Sequence, residues 1–313
     1  MPIITEKSEK VGIIGLGIIG SRVATTLGNA GYHVYVWNRT PKPVPNFLSS
    51  PAEIAQLVDY IQIFVSNGEA LLDVVNDLTA KLGKNHVVIN NSTVDPDSTR
   101  KAAQIVTEAG AAYLDAPFTG SRVAAEKGTL VYYVGGDPKT LERVQPLLGA
   151  SGKEVLFVGD VGDAAVLKIA TNMISATTVQ VLTEAYALTV ASGLDPEKLS
   201  DALEHNGCCS PLTSMKLPTI IEEDYEPHFA LKNMFKDAQF ALNLANKQGI
   251  DLPALSTTAS VMFKTMQKGH GEDDYSVLAR NYQDQMANWA SQAGKEANQR
   301  RAKRKAAKKK VAE

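Results

Sequence analysis

The chain has 313 residues, 44% of them hydrophobic, and a formal net charge of −2. This length and balance predict a soluble globular protein of two domains with a sizeable core. Cys208 and Cys209 are adjacent, and His33, His86, His205, His228 and His270 are far apart. Together these exclude a disulfide framework and offer no metal-ligand motif, so a reducing cytoplasm is the expected compartment. The opening "MPIITEKSEK" lacks the apolar core of a signal peptide. No uninterrupted apolar stretch approaches the roughly 20 residues of a membrane span.

The first half alternates short apolar runs with helical patterns. Strands are predicted at "KVGIIGL", "HVYVWN", "YIQIFVS", "HVVINN", "AAYLDA", "LVYYVGG" and "EVLFVG". Between the early ones, "SRVATTLGNAG", "EALLDVVNDLTAKLG" and "PDSTRKAAQIVTEAG" place apolar residues at spacings of three and four and stop at glycine. Such alternation predicts an α/β Rossmann-like doubly wound sheet. The last two strands sit in helix-poor sequence and are expected to extend the sheet with a change of direction. From Gly162 the pattern becomes helical throughout. Residues 162–192 read as one long helix that must bury much of its surface. Further helices are predicted at Pro196–Glu204, Pro211–Ile221, Ala230–Gln248, Pro253–Lys268 and Tyr275–Trp289. The expected domains are therefore 1–161, an all-helical 162–292, and a tail at 293–313.

The tail from Lys295 onwards holds nine basic and two acidic residues, so it carries +7 against −9 for the rest. Such an Ala/Lys/Arg-rich end predicts a solvated, disordered segment. Its alternative is salt-sensitive attraction to nucleic-acid phosphates, as in a non-catalytic cofactor-binding protein. The long helix carries more apolar surface than one domain covers, which predicts a homodimer or higher homo-oligomer.

Gly15, Gly17 and Gly20 form "GLGIIG" between a strand and a helix. The first permits a tight turn, the second lets backbone approach a pyrophosphate, and the third allows close packing of helix on strand. Gly15, Leu16, Gly17, Ile18 and Ile19 are thus candidate dinucleotide contacts, with free N–H groups at the helix start. At the end of the second strand an acid would bond the ribose hydroxyls of NAD and repel a 2′-phosphate. Here Asn38, Arg39 and Thr40 stand there instead. Arginine gives planar, charge-assisted donors to phosphate and threonine adds a hydroxyl, which favours NADP(H). Val65, Ser66 and Asn67 end the third strand and Thr93 follows the fourth, where ligands gather in open parallel sheets.

Lys168 and Asn172 are four residues apart, hence on one helix face. A lysine within "AAVLKIATNMI" is costly unless it has a purpose or reaches solvent. Its ammonium could stabilise an oxygen that gains negative charge and deliver a proton to it. The alternative is a snorkelling lysine beside a polar break in a helix contact. "FTGS", by itself, reads as a generic turn.

Five ordered motifs give the chain a resemblance to the β-hydroxyacid dehydrogenases. They are "GLGIIGSRVATTLGNAGYHVYVWNRT", "NSTVDP", "DAPFTGSRVAAEKGTL", "GDVGDAAVLKIATNM" and "FALKNMFKDAQFAL". The resemblance spans Val11 to about Leu278. It implies hydride transfer between a nicotinamide cofactor and a small carboxylate substrate, with Lys168 and Asn172 catalytic. It implies that Thr119, Gly120, Ser121, Phe229 and Asp237 serve the substrate and that Lys236 closes over the cofactor. Thr119 replaces the family's usual serine, and Ala164 a common glycine. Ser121 followed by Arg122 leans toward the glyoxylate/succinic semialdehyde reductase branch, ahead of 3-hydroxyisobutyrate dehydrogenases and tartronate semialdehyde reductases. Thr171, where 6-phosphogluconate dehydrogenase has histidine, and Lys168, generally lacking in imine reductases, argue against those two relatives.

Overall fold

The protein is described here from a computed structural model covering residues 9–283. The predicted tail at 293–313 and the end of the last predicted helix lie outside the described residues. The chain divides into two units, one ending at Ala170 and the other beginning at Thr171. The second therefore starts within the long helix, nine residues after the change of pattern at Gly162.

The first unit runs β1 (Lys10–Ile14), α1 (Gly20–Asn29), β2 (His33–Trp37), α2 (Pro51–Leu57), β3 (Tyr60–Ile63), α3 (Gly68–Thr79), β4 (Val87–Asn90), α4 (Pro96–Glu108) and β5 (Ala112–Asp115). These five strands are parallel, in the order β2-β1-β3-β4-β5. All are short and mostly apolar; β3 and β4 are buried almost throughout, as strands covered on both faces require, and the edge strand β2 less so. On one face Val11, Ile13, Ile89 and Leu114 pack with Val23 and Leu27 of α1. On the other Ile14, Ile61, Ile63 and Val88 meet Ile54, Leu71, Val75 and Val106 from α2, α3 and α4. Side chains of Ser50, Asn67 and Asp95 accept the first free amides of α2, α3 and α4, so those helices start where the sequence supplies caps.

The unit continues with β6 (Phe118–Thr119), α5 (Arg122–Glu126), β7 (Leu130–Gly136), α6 (Pro138–Ser151) and β8 (Gly152–Gly159). The change of direction falls at β7, which runs antiparallel to β5 and β6, while β8 runs parallel to β7. Helix α6 corrects the reading of this stretch as helix-poor. Pro146 lies inside it, yet Leu141, Val144, Leu147 and Leu148 are buried and Asp137 caps its start. Burial of that apolar face outweighs the missing amide.

The long helix is α7 (Asp163–Ala191), followed by α8 (Glu197–Glu204), α9 (Pro211–Glu222), α10 (Leu231–Gln248) and α11 (Pro253–Thr265). A π-turn (Met266–His270) and a 3₁₀ segment (Tyr275–Tyr282) complete the described chain. An 18-residue window of α7 has a mean hydropathy of 1.3, enough by length and composition alone to cross a membrane, and 44% of it is buried in the protein. The helix has no uninterrupted apolar run of that length, as the sequence reading states; polar residues interrupt it throughout yet leave the average high. In the second unit Leu182, Tyr186 and Val190 of α7 pack against Leu217, Ile220 and Ile221 of α9. A buried ion pair, Lys216 Nζ to Asp274 Oδ1 at 2.6 Å, ties α9 to the 3₁₀ segment. Asp274 also accepts the His228 and Phe229 amides at 3.0 and 3.1 Å, fixing the entry to α10.

Candidate active site

In the first unit the carboxyl ends of β2, β1, β3 and β4 lie side by side, bringing together four predicted segments. Gly15 has φ +98°, and a Cβ there would drive into the carbonyl oxygen of Phe64. A Cβ on Gly20 would strike the carbonyl oxygen of Gly15. Gly17 differs, because a Cβ there would meet nothing within 4 Å. Protein packing thus requires glycine at 15 and 20. At 17 it leaves an open approach to backbone, as a bound pyrophosphate needs. Among the described residues, the amides of Gly17, Ile18 and Ile19 have no hydrogen-bond partner, and no side chain caps α1. These amides fit a dinucleotide's phosphates.

Leu16 has another part. Its amide donates to Asn38 Oδ1 at 2.8 Å, and Asn38 Nδ2 donates to the Thr40 carbonyl at 2.7 Å. Asn38 therefore braces the glycine turn against the end of β2, with both ends of its carboxamide engaged. Arg39 and Thr40 are exposed, and among the described residues Arg39 has no hydrogen bond or ion pair. Lys42, which the sequence reading passed over, reaches back to donate to the Leu16 carbonyl at 2.5 Å. It borders a groove of about 420 Å³ that runs past Leu16, Thr25, Val34 and Asn46. Its proximity to Arg39 in the chain was the available signal.

Val65 donates its amide to Ser92 Oγ at 2.8 Å, and that hydroxyl contacts the Ile63 carbonyl. Ser92, beside the predicted Thr93, is the residue that joins the two strand ends. Ser66 and Asn67 are exposed, but Asn67 Oδ1 is committed to the Ala70 amide as the cap of α3. Thr93 is half-buried.

Thr119 ends β6, paired with Val131, and is half-buried. Gly120 has φ +131°, and Leu130 and Ala124 crowd the space a side chain would need. Ser121 precedes α5 in extended backbone, with its hydroxyl not used as a cap. The same segment begins at Asp115, whose importance the sequence reading missed despite quoting its motif. Its Oδ2 accepts the Gly162 and Ala165 amides at 3.2 and 2.9 Å, so the end of β5 holds the first turn of α7. Asp115 is fully buried. Burial pushes its carboxyl up to about 7, against the opposing pull of those amides and Arg100.

Lys168 lies on α7 one turn beyond Ala165 and is buried. Asn172 follows four residues later, also buried, and its Nδ2 donates to Asp237 Oδ2 at 2.6 Å. Asp237 is 1% exposed, and Lys236 Nζ lies 3.2 Å from its other oxygen. The second unit therefore brings Asn172, Lys236 and Asp237 together, with Asp237 oriented toward its protein partners. Phe229 is half-buried, stacked edge-on against Tyr275 with ring centres 6.2 Å apart. Among the described residues no group of three or more His, Cys, Asp or Glu could hold a metal ion.

The chain was compared with known proteins. Residues 10–159 match the model of the NAD binding domain of 6-phosphogluconate dehydrogenase. Residues 162–282 match that for the NAD-binding of NADP-dependent 3-hydroxyisobutyrate dehydrogenase. Glyoxylate/succinic semialdehyde reductase 2 of Arabidopsis thaliana is 31% identical, over 86% of this chain and 78% of the relative. The 2-hydroxy-3-oxopropionate reductase of Escherichia coli K12 is 30% identical, over 87% and 96%. The solved 3-hydroxyisobutyrate dehydrogenase of Mycobacterium tuberculosis shares the fold, with a TM-score of 0.79, 23% identity and coverage of 87% and 98%. Sequence kinship across both units, the glycine turn with its free amides, and a lysine and asparagine one turn apart all agree: the chain belongs to the β-hydroxyacid dehydrogenase family.

Proposed function

We propose that this protein is an NADP(H)-dependent oxidoreductase that interconverts a small hydroxy acid and its aldehyde or keto acid, reducing glyoxylate or succinic semialdehyde. The observation that carries this reading is the buried Lys168, one turn before an Asn172 whose carboxamide is fixed by Asp237. A nicotinamide dinucleotide supplies or accepts the hydride when bound. The free amides of Gly17, Ile18 and Ile19 would hold its phosphates, and Arg39 with Thr40 would hold a 2′-phosphate. In the reducing direction the Lys168 ammonium protonates the substrate oxygen as charge builds there. In the oxidising direction the neutral amine takes the hydroxyl proton back. Asn172, held by Asp237, orients that oxygen or the amine through its amide. The Thr119 hydroxyl and the amides of Gly120 and Ser121 bind the substrate carboxylate.

The substrate class follows the relatives' names and the Ser121–Arg122 pair of the loop, with 3-hydroxyisobutyrate and tartronate semialdehyde as the next candidates. The test is a panel of these four compounds with NADPH or NADP⁺, and with NADH or NAD⁺, on wild type and Lys168→Ala. Turnover of at least one is expected, and loss of the general acid should lower kcat by about 10²–10⁴-fold. Retained turnover in Lys168→Ala would reject the proton donor, and a silent panel would reject the substrate class.

A further inference from the structure

The start of α7 is held by three other elements of the first unit. From β5, Asp115 Oδ2 accepts the Gly162 and Ala165 amides at 3.2 and 2.9 Å. From β7, Gly135 lies so close that a Cβ there would strike the Asp160 carbonyl. From α4, the Arg100 guanidinium covers Gly162, which has φ +100° and leaves a Cβ only 3.0 Å from that group. Asp163 adds a local tie, its Oδ2 accepting the Asp160 amide at 2.9 Å. Ala164 and Ala165 are buried, so this first turn has little room to move.

Asp115 differs from the other contacts in what it joins. Thr119 stands four residues after it in the same segment, fixed to β7 by its pairing with Val131. Lys168 stands three residues after Ala165, about 4.5 Å along the helix axis. One carboxylate thus connects the strand end leading to the Thr119–Ser121 loop with the helical turn below the lysine. Amides in the first turn of a helix have no acceptor within it. Without Asp115 the buried Ala165 amide is orphaned, and the turn must shift to find another partner. The other oxygen, Oδ1, is buried with no hydrogen-bond partner among the described residues. The link therefore needs an acceptor at one distance rather than a charge. We infer that Asp115 is a positioning residue, which sets the distance between the Thr119–Ser121 loop and the Lys168 amine. The inference rests on the roles proposed above for that loop and that lysine.

The test measures kcat, KM and NADPH affinity with a compound of the panel that the wild type turns over. Asp115→Glu keeps the charge but adds a methylene, and Asp115→Ala removes the acceptor. Since misplacement by about 1 Å can cost about 10²-fold, each should lower kcat at least about tenfold, with KM within about threefold and NADPH Kd within about twofold. Asp115→Asn keeps an acceptor at the same distance and should retain kcat within about threefold of the wild type. Ile54→Ala, fully buried on α2, should lower the melting temperature and leave kcat unchanged, which separates position from stability. Wild-type kcat in the folded Glu and Ala variants would overturn the inference, as would an equal loss in Ile54→Ala. Should the Glu and Ala variants misfold, Asp115→Asn decides: retained kcat supports an acceptor at this distance, and a tenfold loss would assign the effect to charge and overturn it. A wild type silent on the whole panel, or an active Lys168→Ala, would instead reject the proposed function and this inference with it.

Discussion

Arg39 is exposed at the end of β2, and its guanidinium has no partner among the described residues. A cation left unpaired beside three unpaired amides is placed to meet an anion at little desolvation cost. Asn38, which occupies the position of an NAD-type acid, serves the protein by bracing Leu16 and Thr40. On the proposed function, Arg39, which would choose between cofactors, is separable from Asn38, which holds the turn. Replacing Arg39 with alanine removes charge-assisted bonds worth about 1.5–3 kcal/mol. The NADPH KM should rise roughly 10–150-fold, with the NADH KM within about twofold and the melting temperature unchanged. Steady-state kinetics with both cofactors decide it, and undiminished NADPH preference would remove Arg39 from the site.

The strand–turn–helix element from β1 to α1 shows how one motif can hold glycines for different reasons. Gly20→Ala drives a methyl group into the Gly15 carbonyl, and the backbone must move. Overpacking of that kind costs about 1–3 kcal/mol and should be visible as a lower melting temperature. Gly17→Ala meets no protein atom, so it should melt with the wild type yet bind NADPH at least tenfold more weakly by fluorescence titration. Equal loss of stability in both would show that Gly17 is structural. This element was legible because the spacing of Gly15, Gly17 and Gly20 is local. The five parallel strands were legible for the same reason, being short, mostly apolar runs. Helix α6 was hidden by Pro146, since only tertiary burial of Leu141, Val144 and Leu148 reveals why a helix survives there. The roles of Asp115 and Asp237 were hidden because their partners stand 47 and 65 residues away in sequence. Asp274 and Lys216, joined across 58 residues, left no sequence signal.

Across the whole molecule, two buried carboxylates give the two units opposite responses to pH. Asp115 in the first unit is pushed by burial up to about 7. Between the ordinary carboxylate value near 4 and that point, the folded state keeps a proton the unfolded state has lost. Stability of this unit should therefore fall as pH rises from about 4 to 7, by about 4 kcal/mol, and level off above. Asp274 in the second unit is also pushed up by burial, but Lys216 and the amides of Ser276 and Phe229 outweigh this and hold it below the ordinary range. Its contribution is present above about pH 4 and is lost as acid protonates the folded carboxyl. Hydrogen exchange followed from pH 3 to 8 should show β5 amides less protected toward neutral pH and α9 amides less protected toward acid. Asp115→Asn keeps an acceptor for Gly162 and Ala165 but cannot ionise, so it should flatten the β5 response and raise protection at pH 8. Asp274→Asn leaves the buried Lys216 ammonium without a counter-charge and should cost about 3–5 kcal/mol, confined to the second unit at neutral pH. An Asp115→Asn protein whose β5 exchange still follows the wild-type pH curve would show that another group sets that response.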